Sequence, residues 1–269
     1  MKENQRIALI AAALLLGLAG LGYWLLGPAE APRMAAAPVQ SAPSEAPVVE
    51  PTSGEPAPET HEMPTLPADD TPLPTLAASD APLLEALSTW AAPETVATWL
   101  VSEQIIRRVV ATVDNLPRER VGLNERAIRR VSGAFLVKSR DGVTTTSPAN
   151  EARYLPALAL AQTVGAERLA GWYLRHYALF EQAYAELGYP GRRFNDRLVQ
   201  VIDHLLAAPV IEGPIELVQP KVYYAFADPQ LEALSAGQKM LIRVGSVNAA
   251  QAKAWLRAFR AGIVKAPVS

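Results

Sequence analysis

Hydrophobic positions divide the chain into three regimes. From Ile7 to Leu26 twenty residues run without a charge. A helix of that length, at about 1.5 Å per residue, spans about 30 Å of hydrocarbon. The run predicts a membrane-spanning helix, with Tyr23 and Trp24 at its C-terminal end, where amphipathic rings favour the headgroup layer. Between Gly27 and Leu76 apolar periodicity is missing, and 12 of the 50 residues are proline, mixed with Ala, Glu, Ser and Thr. A disordered, extended spacer is expected there, reaching about 155 Å as polyproline II or nearer 40 Å as flexible coil. From 77 to 269 apolar residues return at helical spacing, which predicts one compact, mainly α domain with a small β-hairpin and short strands.

Within that domain, Ser79, Asp80 and Pro82 open a helix carrying Leu83, Leu84 and Leu87, and Pro93 with Glu94 opens another carrying Val96, Trp99 and Leu100. Ser102 is read as restarting it through Ile105, Ile106, Val109, Val110 and Val113 until Pro117. Ala134 to Lys138 and Val143 to Thr146 flank Asp141-Gly142 and read as a hairpin with a four-residue loop. Two helices follow, the second running from Ala166 to Leu187 and stopping at Gly188-Tyr189-Pro190. Another runs from Asn195 to about Ala207. Ile215 to Val218 and Val222 to Phe226 favour extended chain, as edge strands. Asp228-Pro229 supplies an N-cap and a first-turn proline. Ser235 with Gln238, and Asn248 with Gln251, have capping-box spacing and mark two further helix starts, the last helix carrying Trp255, Leu256 and Phe259 and ending near Gly262.

Charge adds an orientation. Lys2, Arg6 and the α-amine precede the span and only Arg33 follows it closely, so the N-terminus is expected in the cytoplasm and everything after Gly27 across the inner membrane, in the periplasm of a two-membrane cell. A cleaved signal peptide competes, but its apolar region would be about 7 to 15 residues and end at a small-x-small site. Ala35-Ala36-Ala37 comes late and precedes Pro38. The stretch from Gly27 to Leu76 holds eight acids and one base, and the residues after it hold 22 bases and 18 acids. A surplus of four is too mild to indicate nucleic acid.

The chain has no cysteine, which excludes disulfides, thiolate metal sites and a cysteine nucleophile. Its three histidines are dispersed and lack zinc-ligand spacing. Phosphate-loop, zincin, α/β-hydrolase and penicillin-binding signatures are missing as well. No metal and no cofactor is expected.

The densest polar cluster, Arg192-Arg193-Phe194-Asn195-Asp196-Arg197, leads into an amphipathic helix. At about 100° per residue, Asp196, Gln200 and Asp203 share one arc, with His204 on the same side and the apolar residues opposite. The bland reading is a solvated helix face with Asn195 as its cap. The functional one is a cleft with Asp196 or Asp203 as base, His204 as proton carrier and Arg192, Arg193 or Arg197 clamping an anion. Asp203 and His204 cannot form a dyad, because adjacent helical side chains diverge. From Arg107 to Arg130 seven arginines face three acids, among them Arg107, Arg108, Arg118 and Arg120. This is a solvated face or a docking face for an anionic glycan, a lipid headgroup or an acidic protein. His176 lies in an aromatic helical stripe and is read as a packed core histidine; His61, in the spacer, has no expected partner.

The stretches AELGYPGRRFNDRLVQVIDHLLAAP (185 to 209) and GPIELVQPKVYYAFADPQLEALSAGQKMLIRVG (213 to 245) resemble the bacterial domain-of-unknown-function family 3014, and VATVDNLPRERV (110 to 121) is similar too. The resemblance implies a membrane-anchored envelope protein of Gram-negative bacteria and brings no catalytic residues to transfer. The expectation is therefore a tethered periplasmic domain that binds an envelope protein or glycan. The rival is a periplasmic enzyme on an anionic substrate, with a concave site joining Asp196 to Lys221, Gln238 or Lys239. A third possibility, a domain that merely oligomerises, requires an exposed aromatic patch.

Overall fold

Asp80 links the first and third helices. Helix α1 (Asp80–Leu87) follows a short 3-10 turn at Leu76–Ala78, and α2 (Pro93–Trp99) and α3 (Ile105–Asn115) come next. Gln104 adopts a left-handed conformation (φ 53°) that breaks the chain before α3. The Asp80 carboxylate then accepts the N–H groups of Gln104 and Ile105 at 2.6 and 2.8 Å. The α3 cap is thus supplied from another helix, not by Ser102, and satisfies donors that a helix start leaves open.

The computed structural model describes residues 59–65, 72–89, 92–122, 125–129, 131 and 133–265. The expected span at 7–26 and most of the expected spacer lie outside them. Among the described residues no helix is long and apolar enough to cross a membrane.

After α3 the chain forms β1 (Val137–Arg140) and β2 (Val143–Thr146), then α4 (Ala149–Ala152), α5 (Leu155–Val164), α6 (Ala166–Arg175), α7 (Tyr177–Glu186) and α8 (Phe194–Leu206). Strands β3 (Glu216–Val218) and β4 (Ala225–Phe226) precede α9 (Pro229–Glu232), α10 (Ala236–Arg243) and α11 (Ser246–Ile263). The domain is mainly helical, as expected. The strands, however, join in one antiparallel sheet in the order β1-β2-β3-β4, which pattern alone had left as separate pieces. The hairpin starts later than expected and its loop is shorter. Arg140 pairs with Val143, leaving only Asp141 and Gly142 between them, both at positive φ (53° and 82°) as a two-residue hairpin turn requires.

Helix α8 forms the centre of the main core, with Leu198, Val199, Val201, Ile202 and Leu205 fully enclosed. Helix α3 crosses α7 and α8, while α11 lies along α6 and α8. Phe194 at the start of α8 meets Tyr173, Phe180 and Tyr184, with ring centroids 5.5–6.4 Å apart. A smaller core of Phe135, Leu217, Phe226 and Ile242 holds the sheet on α10.

Two expectations are corrected here. The single helix from 166 to 187 is two, α6 and α7, broken at His176, whose half-buried ring stacks on Trp172 at 4.2 Å. Asn248 does not cap α11, which begins at Ser246; its side chain is buried and donates to the Glu151 and Val244 carbonyls. Helix α11 does end beside Gly262, at Ile263, and that glycine has a second role. A Cβ there would stand 2.5 Å from the Cβ of Ala170, so glycine is what allows α11 to approach α6. By contrast, Ser235 Oγ does accept the Gln238 N–H (3.2 Å), and Asp228 Oδ1 that of Gln230 (2.8 Å), so both caps are as read.

Candidate functional site

The first turn of α8 is not a solvated face. Asn195, Asp196 and Arg197 are all buried, because α3, the end of α11 and a strap from upstream close over them. The helix starts one residue earlier than expected, and Asn195 is not its cap. Instead the Phe194 N–H donates to Glu181 Oε1 (3.2 Å), and Asn195 Nδ2 points to the Ile263 carbonyl at 3.5 Å. Asp196 Oδ1 accepts the His61 N–H at 2.8 Å, and Arg193 Nη1 stands 3.7 Å from Oδ2. His61 therefore has a fixed partner, contrary to expectation. The Lys265 N–H donates to the Glu62 carbonyl at 2.7 Å, so residues 59–65 lie strapped to the domain.

This end of α8 is electrostatically coupled. Burial pushes the Glu181 carboxyl above its usual range, and the charge of Asp196 adds to the shift while the Phe194 N–H and Arg193 oppose it. Burial, then Glu181 and Asp196, hold the Tyr173 phenol well up. Arg197 leaves the cluster for α3, donating from Nε to Asp114 Oδ1 at 2.9 Å. Arg192 stays exposed, 5.8 Å from the Tyr189 ring centroid.

Further along α8, Asp203 accepts two hydrogen bonds from Arg260, at 2.7 and 2.9 Å. His204 Nε2 lies 2.8 Å from Ser235 Oγ, the oxygen that caps α10. Neighbours in sequence, Asp203 and His204 address different elements.

The arginines from 107 to 129 are largely absorbed by the fold. Arg107 pairs with Glu186 at 2.7 Å, Arg108 donates to the Glu103 and Arg126 carbonyls, and Arg118 reaches Asp114 at 2.9 Å. Arg126 Nη2 is bound to the Val121 carbonyl (2.7 Å) and Arg129 Nε to that of Leu100 (3.1 Å). Arg120 remains well exposed, beside Glu119 at 3.5 Å.

Arg120 and Arg126 enter a feature that neither sequence cluster revealed by itself. They line a cleft of about 270 Å³ together with Lys221, Lys239 and Arg243, opposed by Glu119 and Glu232, a surplus of three positive charges. The β3–β4 loop forms one wall through Pro220, Lys221, Tyr223 and Tyr224. Lys239 Nζ is anchored by Glu232, at 2.8 Å to its carbonyl and 3.0 Å to Oε1. The Arg243 guanidinium lies 4.7 Å over the Phe226 ring, and its Nε has no hydrogen-bond partner among the described residues. Burial pulls its pKa down to about 10, against the raising effects of Glu232 and Tyr154, so it stays charged at neutral pH. A concavity lined by more cationic side chains than carboxylates favours an anion. Lys221 and Lys239, named for a cleft with Asp196, do line a cleft, but Asp196 is not among its walls; Gln238 donates to the His204 carbonyl instead.

Arg243 is in neither sequence cluster, and Asp114 counts there only as one of the three acids facing the arginines. Each is a lone charge in an apolar run, Met240 to Val244 and Val109 to Leu116, which is the signal that was available. Among the described residues no group of three or more His, Cys, Asp or Glu side chains is arranged to hold a metal ion.

Fold and site together define a mainly helical domain with a small antiparallel sheet and a basic cleft beside it. The chain belongs to the family DUF3014, described as protein of unknown function, whose model matches residues 105–260. That span contains all three stretches that carried the resemblance, whereas α1, α2 and the strap at 59–65 precede it. No curated protein and no solved structure matches the chain.

Proposed function

We propose that this is a single-pass inner-membrane protein whose periplasmic domain binds an anionic component of the cell envelope in the cleft between Arg120, Lys221 and Arg243. The apolar run at 7–26 and the basic residues before it support the anchor and its direction. The proline-rich stretch after it supports tethering, which holds a binding head in a shell near the membrane and raises its effective concentration toward a partner. The observation that carries the binding role is that five cationic side chains line one cleft against two carboxylates.

The test is crosslinking of the full-length protein in its own membranes, followed by mass spectrometry. Wild type should give adducts with an anionic envelope component at Lys221 or Lys239, and Arg120→Glu combined with Lys221→Glu should abolish the adduct at Lys239 while the protein keeps its abundance. Adducts unchanged by the charge reversal, or confined to surfaces away from the cleft, overturn the proposal.

A further inference from the structure

The loop between β3 and β4 does more than wall the cleft. Gln219 Nε2 donates to the Val222 carbonyl at 3.1 Å, bridging the bend at residues 219–222. The bend leaves Val222 61% exposed, between Lys221 and Tyr223, both of which line the cleft. Val218, at the start of the loop, is 45% exposed and pairs across the sheet with Ala225, a further lining residue. Apolar side chains thus stand in water on the rim of a basic concavity. A bilayer surface supplies both chemistries at once, acyl chains for the valines and anionic headgroups for the cations, and amphipathic tyrosines favour the layer between them. The cleft, at about 270 Å³, falls just below the roughly 300–1,000 Å³ of pockets for drug-sized molecules, a size that suits one phosphate-bearing headgroup.

We infer that the β3–β4 loop is a lipid-docking element: Val222 enters the headgroup layer, and the cleft beside it takes the headgroup of an anionic phospholipid. The inference rests on the cleft being the binding site, and it names the ligand class. Attraction to an anionic surface brings the cations over the phosphates. Burial of Val222 then orients the head, with the sheet edge toward the bilayer.

The experiment uses full-length protein carrying Val222→Trp, reconstituted into vesicles of phosphatidylcholine alone or mixed with phosphatidylglycerol, with wild type supplying the background of native tryptophans. The added tryptophan should shift to the blue and be quenched by brominated acyl chains only when phosphatidylglycerol is present, and high salt should reverse both effects. Arg120→Glu with Lys221→Glu should abolish them. In a parallel arm, pyrophosphate is titrated onto the full-length protein in neutral detergent, with protection of Lys221 and Lys239 from an amine-reactive reagent as readout. Pyrophosphate protection with no lipid signal at position 222 overturns lipid docking and leaves the anion cleft standing. Failure of both arms overturns both. Val222→Ser, at an exposed position, should keep pyrophosphate protection while lowering at least tenfold the protection of Lys221 from the amine-reactive reagent by phosphatidylglycerol vesicles; unchanged vesicle protection would overturn the loop's role.

Discussion

Arg197 Nε stands 2.9 Å from Asp114 Oδ1, and the same guanidinium donates from Nη2 to the Asp114 main-chain carbonyl at 3.0 Å. One side chain thereby fastens the first turn of α8 to the last turn of α3 across 83 residues of sequence. Both side chains are almost wholly buried, at 7% and 2% exposure. Asp114 Oδ2 is filled as well, by Arg118 at 2.9 Å and by the Tyr189 hydroxyl at 3.3 Å, and Arg197 Nη1 donates to Gln200 at 2.7 Å. A buried charge pair holds its place only when its remaining donors and acceptors are met in this way.

Removing one member should therefore cost more than the pair is worth. Arg197→Met is expected to lower stability by up to about 3–5 kcal/mol, because it removes the buried cation of Asp114 and leaves that carboxylate only the half-exposed Arg118. The double variant Asp114→Leu, Arg197→Met should lose less than the sum of the two single changes. Thermal or urea denaturation of the four proteins checks this, and strict additivity would show that the two side chains do not act as a unit.

At Gly262 the prediction concerns space. Gly262→Ala puts a methyl group 2.5 Å from the Ala170 Cβ, so α11 must move off α6, at a cost of about 1–3 kcal/mol. Adding Ala170→Gly should return part of that loss by reopening the contact. A Gly262→Ala protein as stable as wild type would mean that the two helices are not packed this closely.

Asp196 is expected to control the strap. Its carboxylate accepts the His61 N–H, and hydrogen bonds to charged groups contribute roughly 1.5–3 kcal/mol, equivalent to about tenfold or more in local opening. Asp196→Ala should raise hydrogen exchange at the His61 amide at least tenfold and expose residues 59–65 to limited proteolysis. Unaltered exchange at His61 would mean that the strap is held by Lys265 alone.

Glu181 gives a dependence on pH. Its folded-state pKa is raised, chiefly by burial, so the folded protein binds this proton more readily than the unfolded chain does. The group therefore works against folding at neutral pH and is relieved as pH falls through the folded pKa toward the ordinary carboxylate value. Glu181→Gln preserves an acceptor for the Phe194 N–H and removes the titration. The stability of wild type relative to Glu181→Gln should rise as pH is lowered from 7 toward about 4.5, and be level below that. A relative stability that falls over the same interval would contradict the assignment.

Elements that depend on near neighbours were legible. Asp141-Gly142 marks a hairpin because the turn itself demands positive φ, and Ser235 and Asp228 mark helix starts because their caps lie two or three residues away. The errors have a common origin. Asn195 and Asn248 carry the same capping signal, yet both are buried by other elements and spend their amides on distant carbonyls. The polar arc of α8 looked solvated because a helical wheel records which residues share a face, not what covers it. For Asp196 that cover is His61, 135 positions upstream.

The sequence by itself determined the class of domain, its family and most of its helices. Apolar spacing and turn chemistry act over a few residues and are written in consecutive positions. Tertiary structure alone decided where the charges went. Of the arginines near the end of α3, it sent Arg118 to Asp114 and left Arg120 on the rim of a cleft with Lys221, Lys239 and Arg243, residues from more than a hundred positions away. A charge stabilises whatever counter-charge the fold brings within a few ångströms, and that distance is set by how helices and sheet close on one another, long after the local pattern has done its part.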